Sequence, residues 1–378
     1  MKLIISKPIL GLAISRMQGP GSERSQAQIG IMAKENRLYF CCSDQTLAVF
    51  TDVEANIERQ GVTFVQAKFF SDVVRELPDG LVHLELDGPS LKLMAGPKQE
   101  FSMRLPVMES SKWRNAPSMN FEESANVPLK KLSYMIDQID SCIAHESTRN
   151  YATVAYLHRI STHAQSDTFR MVGTDAYRLS LCEIKFDASE SFLKQGITLT
   201  KRSLSELQKY ATEGFENLKI GISDDRTTLV ASVPHYYTFI RLSNVKYPNY
   251  SKVIPDLKQP GVLVDKPHVL GVTKRVLLAS DKSRILQLSF FDESLTLSSK
   301  NVAQSEGREK IQLDGYHGPK CDITINGKYL TDIAGTTISD RLVFQFKDSD
   351  DPMVLMPYGE PNECKTKHVL IPISSGMN

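Results

Sequence analysis

Lys68-Phe69-Phe70-Ser71-Asp72-Val73, Arg202-Ser203-Leu204-Ser205-Glu206-Leu207 and Lys328-Tyr329-Leu330-Thr331-Asp332-Ile333 repeat one pattern, basic–any–apolar–Ser/Thr–acidic–apolar. The copies lie roughly 130 residues apart, too far for a solenoid and right for a domain. Each follows a short apolar run and precedes a strand–turn–strand signal, so a whole unit recurs. A chain of 378 residues then divides into three similar domains.

Each domain opens on a strand leading into a proline-adjacent helix: Lys7-Pro8-Ile9-Leu10, Val127-Pro128-Leu129-Lys130 and Lys266-Pro267-His268-Val269. Proline suits a first helical turn because its missing N–H would lack a partner there. Leu132, Met135, Ile136 and Ile139 continue the middle opening at helical spacing. The repeat itself marks the second helix, with Ser or Thr and an acidic residue in its early turns. Hairpin signals follow at Leu84–Leu93, Leu218–Val230 and Leu342–Leu355, alternating as half-buried antiparallel strands do. The expected fold class is α+β, each domain holding two helices packed on antiparallel sheets of about eight strands. Pro/Asn/Ser-rich stretches near 113–126 and 247–261 place the domains at 1–125, 126–257 and 258–378.

Composition narrows the function. An apolar fraction of 41% with 24% charged residues describes a globular protein with real cores. No apolar run approaches the roughly 18 residues of a membrane span, and the start lacks a signal-peptide core, so a cytoplasmic protein without a membrane partner is expected. The six cysteines include no Cys-x-x-Cys and no metal-ligand spacing. The net charge of +1 is unevenly spread. Segment 7–18 carries +2, segments 67–77, 128–141 and 326–336 are neutral, 198–211 carries +2 and 266–284 carries +4, leaving −7 elsewhere. If the six helices share a face, that face is basic and fits a polyanion held through its phosphates. Lysines decorating exposed helix faces would give the same count.

Three segments go further. Val172-Gly173-Thr174-Asp175-Ala176-Tyr177-Arg178-Leu179-Ser180-Leu181 resembles the "ATDGHRLAL" segment of bacterial sliding clamps, the beta subunit of DNA polymerase III. Tyr247-Pro248-Asn249-Tyr250-Ser251-Lys252-Val253-Ile254-Pro255 resembles their "FPDYRRVLP", and Val369-Leu370-Ile371-Pro372-Ile373 their "VVMPM" or "LILPV" terminus. The order and spacing are the family's, over essentially the whole chain. The resemblance implies a head-to-tail homodimeric ring, the first domain meeting the partner's third, with helices lining the hole and sheets forming the rim. The function it implies is a processivity factor. Such a ring encircles duplex DNA without reading sequence and tethers DNA polymerases, the clamp loader and repair proteins through short linear motifs.

By the same resemblance the DNA-facing positions are Arg24, Tyr151 and Arg202, with Arg149 and Lys201 beside them. Asn150 replaces a family tyrosine and Glu146 a glutamine. The partner-peptide pocket, between the second and third domains, maps onto Thr174, Ala176, Tyr177, Arg178, Leu179, Pro248, Lys252, Val253, Val369, Ile371, Pro372 and Ile373. Apolar walls with few polar groups suit linear-motif capture. Tyr177 stands for the usual histidine, Ala176 for glycine, Lys252 for arginine and Ala152 for a pocket leucine, and the tail Ser374–Asn378 is altered, so a pocket of changed shape is expected.

No phosphate loop, no Gly-x-Gly-x-x-Gly, no Gly-x-Ser-x-Gly and no His-Glu-x-x-His occurs, so neither catalysis, metal nor cofactor is expected. Asp175 beside Arg178 reads as a structural contact before an acid–base group. The alternatives are a clamp paralogue with altered or lost polymerase binding, serving repair or a mobile element, and an enzyme on a repeated α+β scaffold.

Overall fold

The computed structural model describes residues 1–21, 27–108, 113, 116, 121–161, 167–257, 260–313, 315–359 and 364–373. Six α-helices occur among them: α1 (Lys7–Gly21), α2 (Ala67–Glu76), α3 (Leu129–Asp140), α4 (Lys201–Thr212), α5 (Lys266–Val276) and α6 (Gly327–Thr336). The repeated hexapeptide opens α2, α4 and α6, within two residues of each start. Asn326 caps α6 by accepting from the Lys328 N–H, and Asp265 caps α5 by accepting from the His268 N–H. The apolar positions of the repeat turn inward: Phe70, Val73, Leu204, Leu207, Leu330 and Ile333 are all buried.

The chain forms two compact units, and the middle repeat contributes to both. The first comprises Met1–Leu129, Ala188–Phe192 and Ser205–Leu242. Its eight-stranded sheet runs Glu123–Pro128, Asn217–Ile222, Thr228–Val233, Tyr236–Arg241, Leu47–Glu54, Arg37–Ser43, Gln28–Lys34, Gly61–Gln66. A five-stranded sheet accompanies it, in the order Asn56–Arg59, Lys2–Ser6, Leu81–Asp87, Ser90–Ala95, Phe101–Pro106. The second unit comprises Lys130–Asp187, Leu193–Leu204 and Ser243–Asn378. Its eight-stranded sheet runs Ile197–Thr200, Val154–Ser161, Thr168–Thr174, Arg178–Lys185, Lys365–Leu370, Met353–Pro357, Arg341–Gln345, Val262–Asp265. The order Glu306–Gln312, Ser294–Lys300, Ile285–Phe291, Cys321–Asn326 makes its four-stranded sheet. Every strand pairing is antiparallel, and all three predicted hairpins form.

Within each unit a sheet therefore crosses a boundary between sequence repeats. In the first, Leu47–Glu54 pairs with Tyr236–Arg241; in the second, Arg178–Lys185 pairs with Lys365–Leu370. A buried arginine reinforces each junction. Arg16 of α1, 6% exposed, donates to both Glu213 carboxylate oxygens and lies 4.6 Å over the Tyr236 ring. Arg178, equally buried, donates to Asp175 and Asp332 at 2.9 Å each and lies 4.2 Å over Tyr329. Arg16 was counted into a basic helical face; burial and its paired carboxylate remove it from that face. Lys282 and Arg284 likewise fall outside it, because α5 ends at Val276 and a short 3-10 turn, Leu277–Ala279, closes the element.

Candidate functional site

The segment Val172–Leu181 forms two antiparallel strands joined by a tight turn. Asp175 builds that turn: its Oδ1 accepts from the N–H groups of Tyr177 and Arg178, both at 3.0 Å. Thr174 Oγ1 donates to Arg178 O and accepts from Ala176 N–H. Ala176 carries a positive φ of 77°, a conformation that costs a side chain with a Cβ. Gly173 is required for a different reason: a Cβ there would stand 2.9 Å from Ile139 O of α3, which packs against the strand. The Asp–Arg contact expected from sequence is present and structural. It orders the turn and holds the middle of α6 through Asp332.

Around this turn lies an apolar cluster of Val172, Leu179, Leu181, Tyr250, Val354 and Val369, with Tyr156, Tyr247, Ile254, Leu257 and Met356 partly buried against it. Strand register explains the composition. Leu179 faces Val369, Val172 faces Leu181, and Val354 faces Val369 across neighbouring strands, all on one face of the sheet. Tyr177 (65% exposed), Val253 (46%) and Ile371 (43%) stand in solvent, as do Pro248 and Lys252. The terminal strand is tied to the turn by Ile371 N–H donating to Tyr177 O. Pro372 is buried and Ile373 half-buried, its N–H bonded to Thr324 O.

An aromatic group secures the segment carrying Pro248 and Lys252. Tyr156 and Tyr247 stack at 5.1 Å between centroids, and His158 Nε2 lies 2.7 Å from the Tyr250 hydroxyl. Arg170, paired with Glu183, donates to the same hydroxyl. Burial pushes the Tyr247 phenol well above its ordinary pKa and the His158 imidazole below its own, so both are neutral packing groups at neutral pH. Behind the sheet, fully buried His368 meets Ser180 Oγ at 2.7 Å, and Ser180 Oγ lies 2.9 Å from Cys142 Sγ. Desolvation, aided by the Arg178 charge, lowers the His368 pKa to about 3.

Of the expected pocket residues, Leu179 and Val369 are buried in this cluster, while Thr174, Ala176 and Arg178 shape the turn and Tyr177, Pro248, Lys252, Val253 and Ile371 are exposed. Sequence reading missed Val354, Met356 and Tyr156, which reach the cluster only through strand pairing; Leu181 was discoverable by its two-residue offset from Leu179. Ala152 is fully buried in the 3-10 turn Asn150–Thr153.

The equivalent junction in the first unit differs. Asp44 builds the matching turn, accepting from Thr46 and Leu47 N–H groups. Counting from the two aspartates places Phe50 where Leu181 stands, and strand pairing places Phe239 opposite Ala48, as Val369 stands opposite Leu179. The rings of Phe50 and Phe239 meet edge to face at 5.5 Å and fill that position. A nearby hollow of about 450 Å³ is lined in part by Trp113.

The DNA-facing expectations are distributed unequally. Arg24 lies outside the described residues. Arg149 is exposed, Tyr151, Lys201 and Arg202 are half-buried, and all four belong to the second unit. Lys201 Nζ is held 3.1 Å from Asp140 Oδ2, at the end of α3. Asn150 and Tyr151 line a hollow of about 460 Å³ with Asn244, Val245 and Lys246. Lys246 is an exposed cation absent from the sequence-derived set.

Three family models cover this chain in order: the DNA polymerase III beta subunit N-terminal domain over residues 1–116, the central domain over 126–249 and the C-terminal domain over 251–374. The chain belongs to the DNA polymerase III beta subunit family. Its relatives include the beta sliding clamp of Caulobacter vibrioides, 24% identical over 99% of this chain and 100% of that protein, and that of Bacillus subtilis, 22% identical over 91% of each. A solved Caulobacter crescentus beta sliding clamp matches with a TM-score of 0.87 at 25% identity, covering 99% of both chains. The fold is that of three clamp domains with antiparallel sheets, as expected from the repeat.

Proposed function

We propose that this protein is a sliding clamp: a non-catalytic processivity factor that encircles duplex DNA and tethers DNA polymerases. Membership of the beta subunit family supports the role, and the apolar cluster at the Leu179–Val369 junction carries the tethering part. A peptide from a polymerase, clamp loader or repair protein would lay one or two apolar anchors against Leu179, Val369 and the exposed edges of Val253 and Ile371, flanked by Tyr177 and Lys252. The plugged Phe50–Phe239 junction supports the choice of this site over its counterpart.

Ring closure would join two copies head to tail, giving six similar domains, with repeat boundaries near 125 and 257. The chain carries suitable ends. Strand Phe101–Pro106 ends one sheet and strand Glu306–Gln312 ends another, each with an edge that is unpaired among the described residues and that proteins ordinarily cover. Beside the second edge, Leu278 is 86% exposed. Pairing the first edge of one copy with the second edge of the next is heterologous and closes only by rotation. Arg24, Arg149, Tyr151 and Arg202 would meet the phosphates, with Lys201 reduced to a weaker contact by Asp140. Duplex DNA held by topology needs no tight contacts.

The test combines mass with topology. Sedimentation should give about twice the 42.4 kDa chain mass, and Leu278→Asp should return it to the monomer. Once loaded, the protein should remain on nicked circular DNA and run off when the circle is cut. A parent protein that is monomeric, or that dissociates equally from both DNAs, would refute the ring.

A further inference from the structure

Strand Lys365–Leu370 alternates sharply. Thr366, His368 and Leu370 point to the buried side, where His368 meets Ser180 and Leu370 joins the large core of the second unit. Lys365, Lys367 and Val369 therefore share the opposite face, and Val369 belongs to the apolar cluster proposed above to take a peptide. Both lysines are exposed, and neither has an ion-pair partner among the described residues. Cross-strand neighbours do not neutralise them: Lys367 faces Leu181, while Lys365 faces Glu183, whose carboxylate is taken by Arg170. Lys252, on the segment secured by the aromatic group, is a third exposed cation without a partner among the described residues. The apolar floor thus continues along its own strand into a row of uncommitted positive charge.

We propose that this row is an extension of the peptide site that selects partners carrying acidic residues beside their apolar anchor. The inference rests on the docking role assigned above to the Leu179–Val369 junction and adds to it a chemical class of partner. Side chains two apart on a strand are spaced by about 7 Å, so Lys367 and Lys365 stand about 7 and about 13 Å along the strand from Val369. An extended peptide anchored at Val369 matches that spacing with carboxylates two and four residues from its anchor. Two exposed charge pairs of this kind strengthen binding roughly three- to tenfold at low salt, and screening removes most of that gain near 0.5 M salt.

The experiment uses the full chain and fluorescein-labelled peptides built on Gln-Leu-Ser-Leu-Phe, titrated by anisotropy. One peptide has Gly/Ser flanks, and two others carry Asp two and four residues beyond the apolar anchor nearest that flank, before the motif or after it. One of the two acidic peptides should bind three- to tenfold more tightly than the neutral one in 50 mM salt. The Lys365→Glu/Lys367→Glu variant should lose that advantage and keep its affinity for the neutral peptide. Equal binding of all three peptides, or an advantage that survives the charge reversal, would overturn the acidic extension while leaving the pocket intact. No binding of the neutral peptide, with binding of acidic ones unaffected by Ile371→Ala, would overturn the pocket reading and this inference together.

Discussion

Replacing His368 by glutamine should flatten the pH dependence of stability in strand Lys365–Leu370. The imidazole is 1% exposed, bonded through Nδ1 to Ser180 and close enough to Arg178 to feel its charge, and its pKa falls to about 3. In the unfolded chain it returns to about 6.5. A histidine lowered in the folded state is protonated first in the unfolded one, so its effect is absent above pH 6.5 and destabilises increasingly as pH falls towards 3. Linkage gives about 1.4 kcal/mol per pH unit inside that window, hence about 2 kcal/mol lost between pH 7.5 and 5.0. Opening of a single strand is best read locally, by hydrogen exchange over Lys365–Leu370 corrected for intrinsic rates; the lone tryptophan, Trp113, belongs to the other unit. Protection in the parent should drop about 30-fold over that interval. In His368→Gln the corresponding drop should stay below about threefold, whatever the variant's stability at pH 7.5. Parallel losses in the two proteins would show that another group governs the acid response and that His368 is not buried neutral.

Other outcomes follow from the junctions and the turn. Ala176→Gly should raise local stability by about 0.5 kcal/mol, because relief of the left-handed backbone outweighs glycine's entropy, and Ala176→Val should lower it; differential hydrogen exchange over residues 172–181 reads both. Arg16→Ala should cost about 3 kcal/mol by leaving the half-buried Glu213 carboxylate unpaired and removing the stack on Tyr236, measured as chemical unfolding followed by Trp113 fluorescence. Arg202→Glu combined with Arg149→Glu should weaken loading on DNA several-fold without altering the mass of the dimer, and unchanged loading would move the DNA path elsewhere.

Much of the fold was legible because its signals are local. The hexapeptide repeat located α2, α4 and α6, and strand alternation located the hairpins, since helical and strand periods are written in consecutive residues. The site was legible only where motif and turn coincide. Asp175 and Arg178 follow from their sequence neighbours, but Val354 and Met356 join the apolar cluster through pairing with a strand near the chain's end. Which of the expected DNA contacts are uncommitted was not legible at all. Lys201 answers to Asp140, a residue of a different helix, and no count over a single segment could have found the pair.

Not every cation on these helices is available to a polyanion. In both units an arginine is consumed in joining one repeat to the next, but only Arg16 belongs to the helical segments that carry the positive surplus; Arg178 opens a strand. Arg16 stacks on Tyr236 and pairs with Glu213; Arg178 stacks on Tyr329 and pairs with Asp332. Arginine suits that task because its planar group can stack and bond at once, which lysine cannot. A protein made of repeated domains needs such joints wherever sheets run across repeats, and here one of their residues, Arg16, comes from a helix counted toward a basic face. The positive charge left on the helices for a polyanion is correspondingly smaller. Weak, scattered contacts let a ring slide, whereas a dense basic wall would hold it in place.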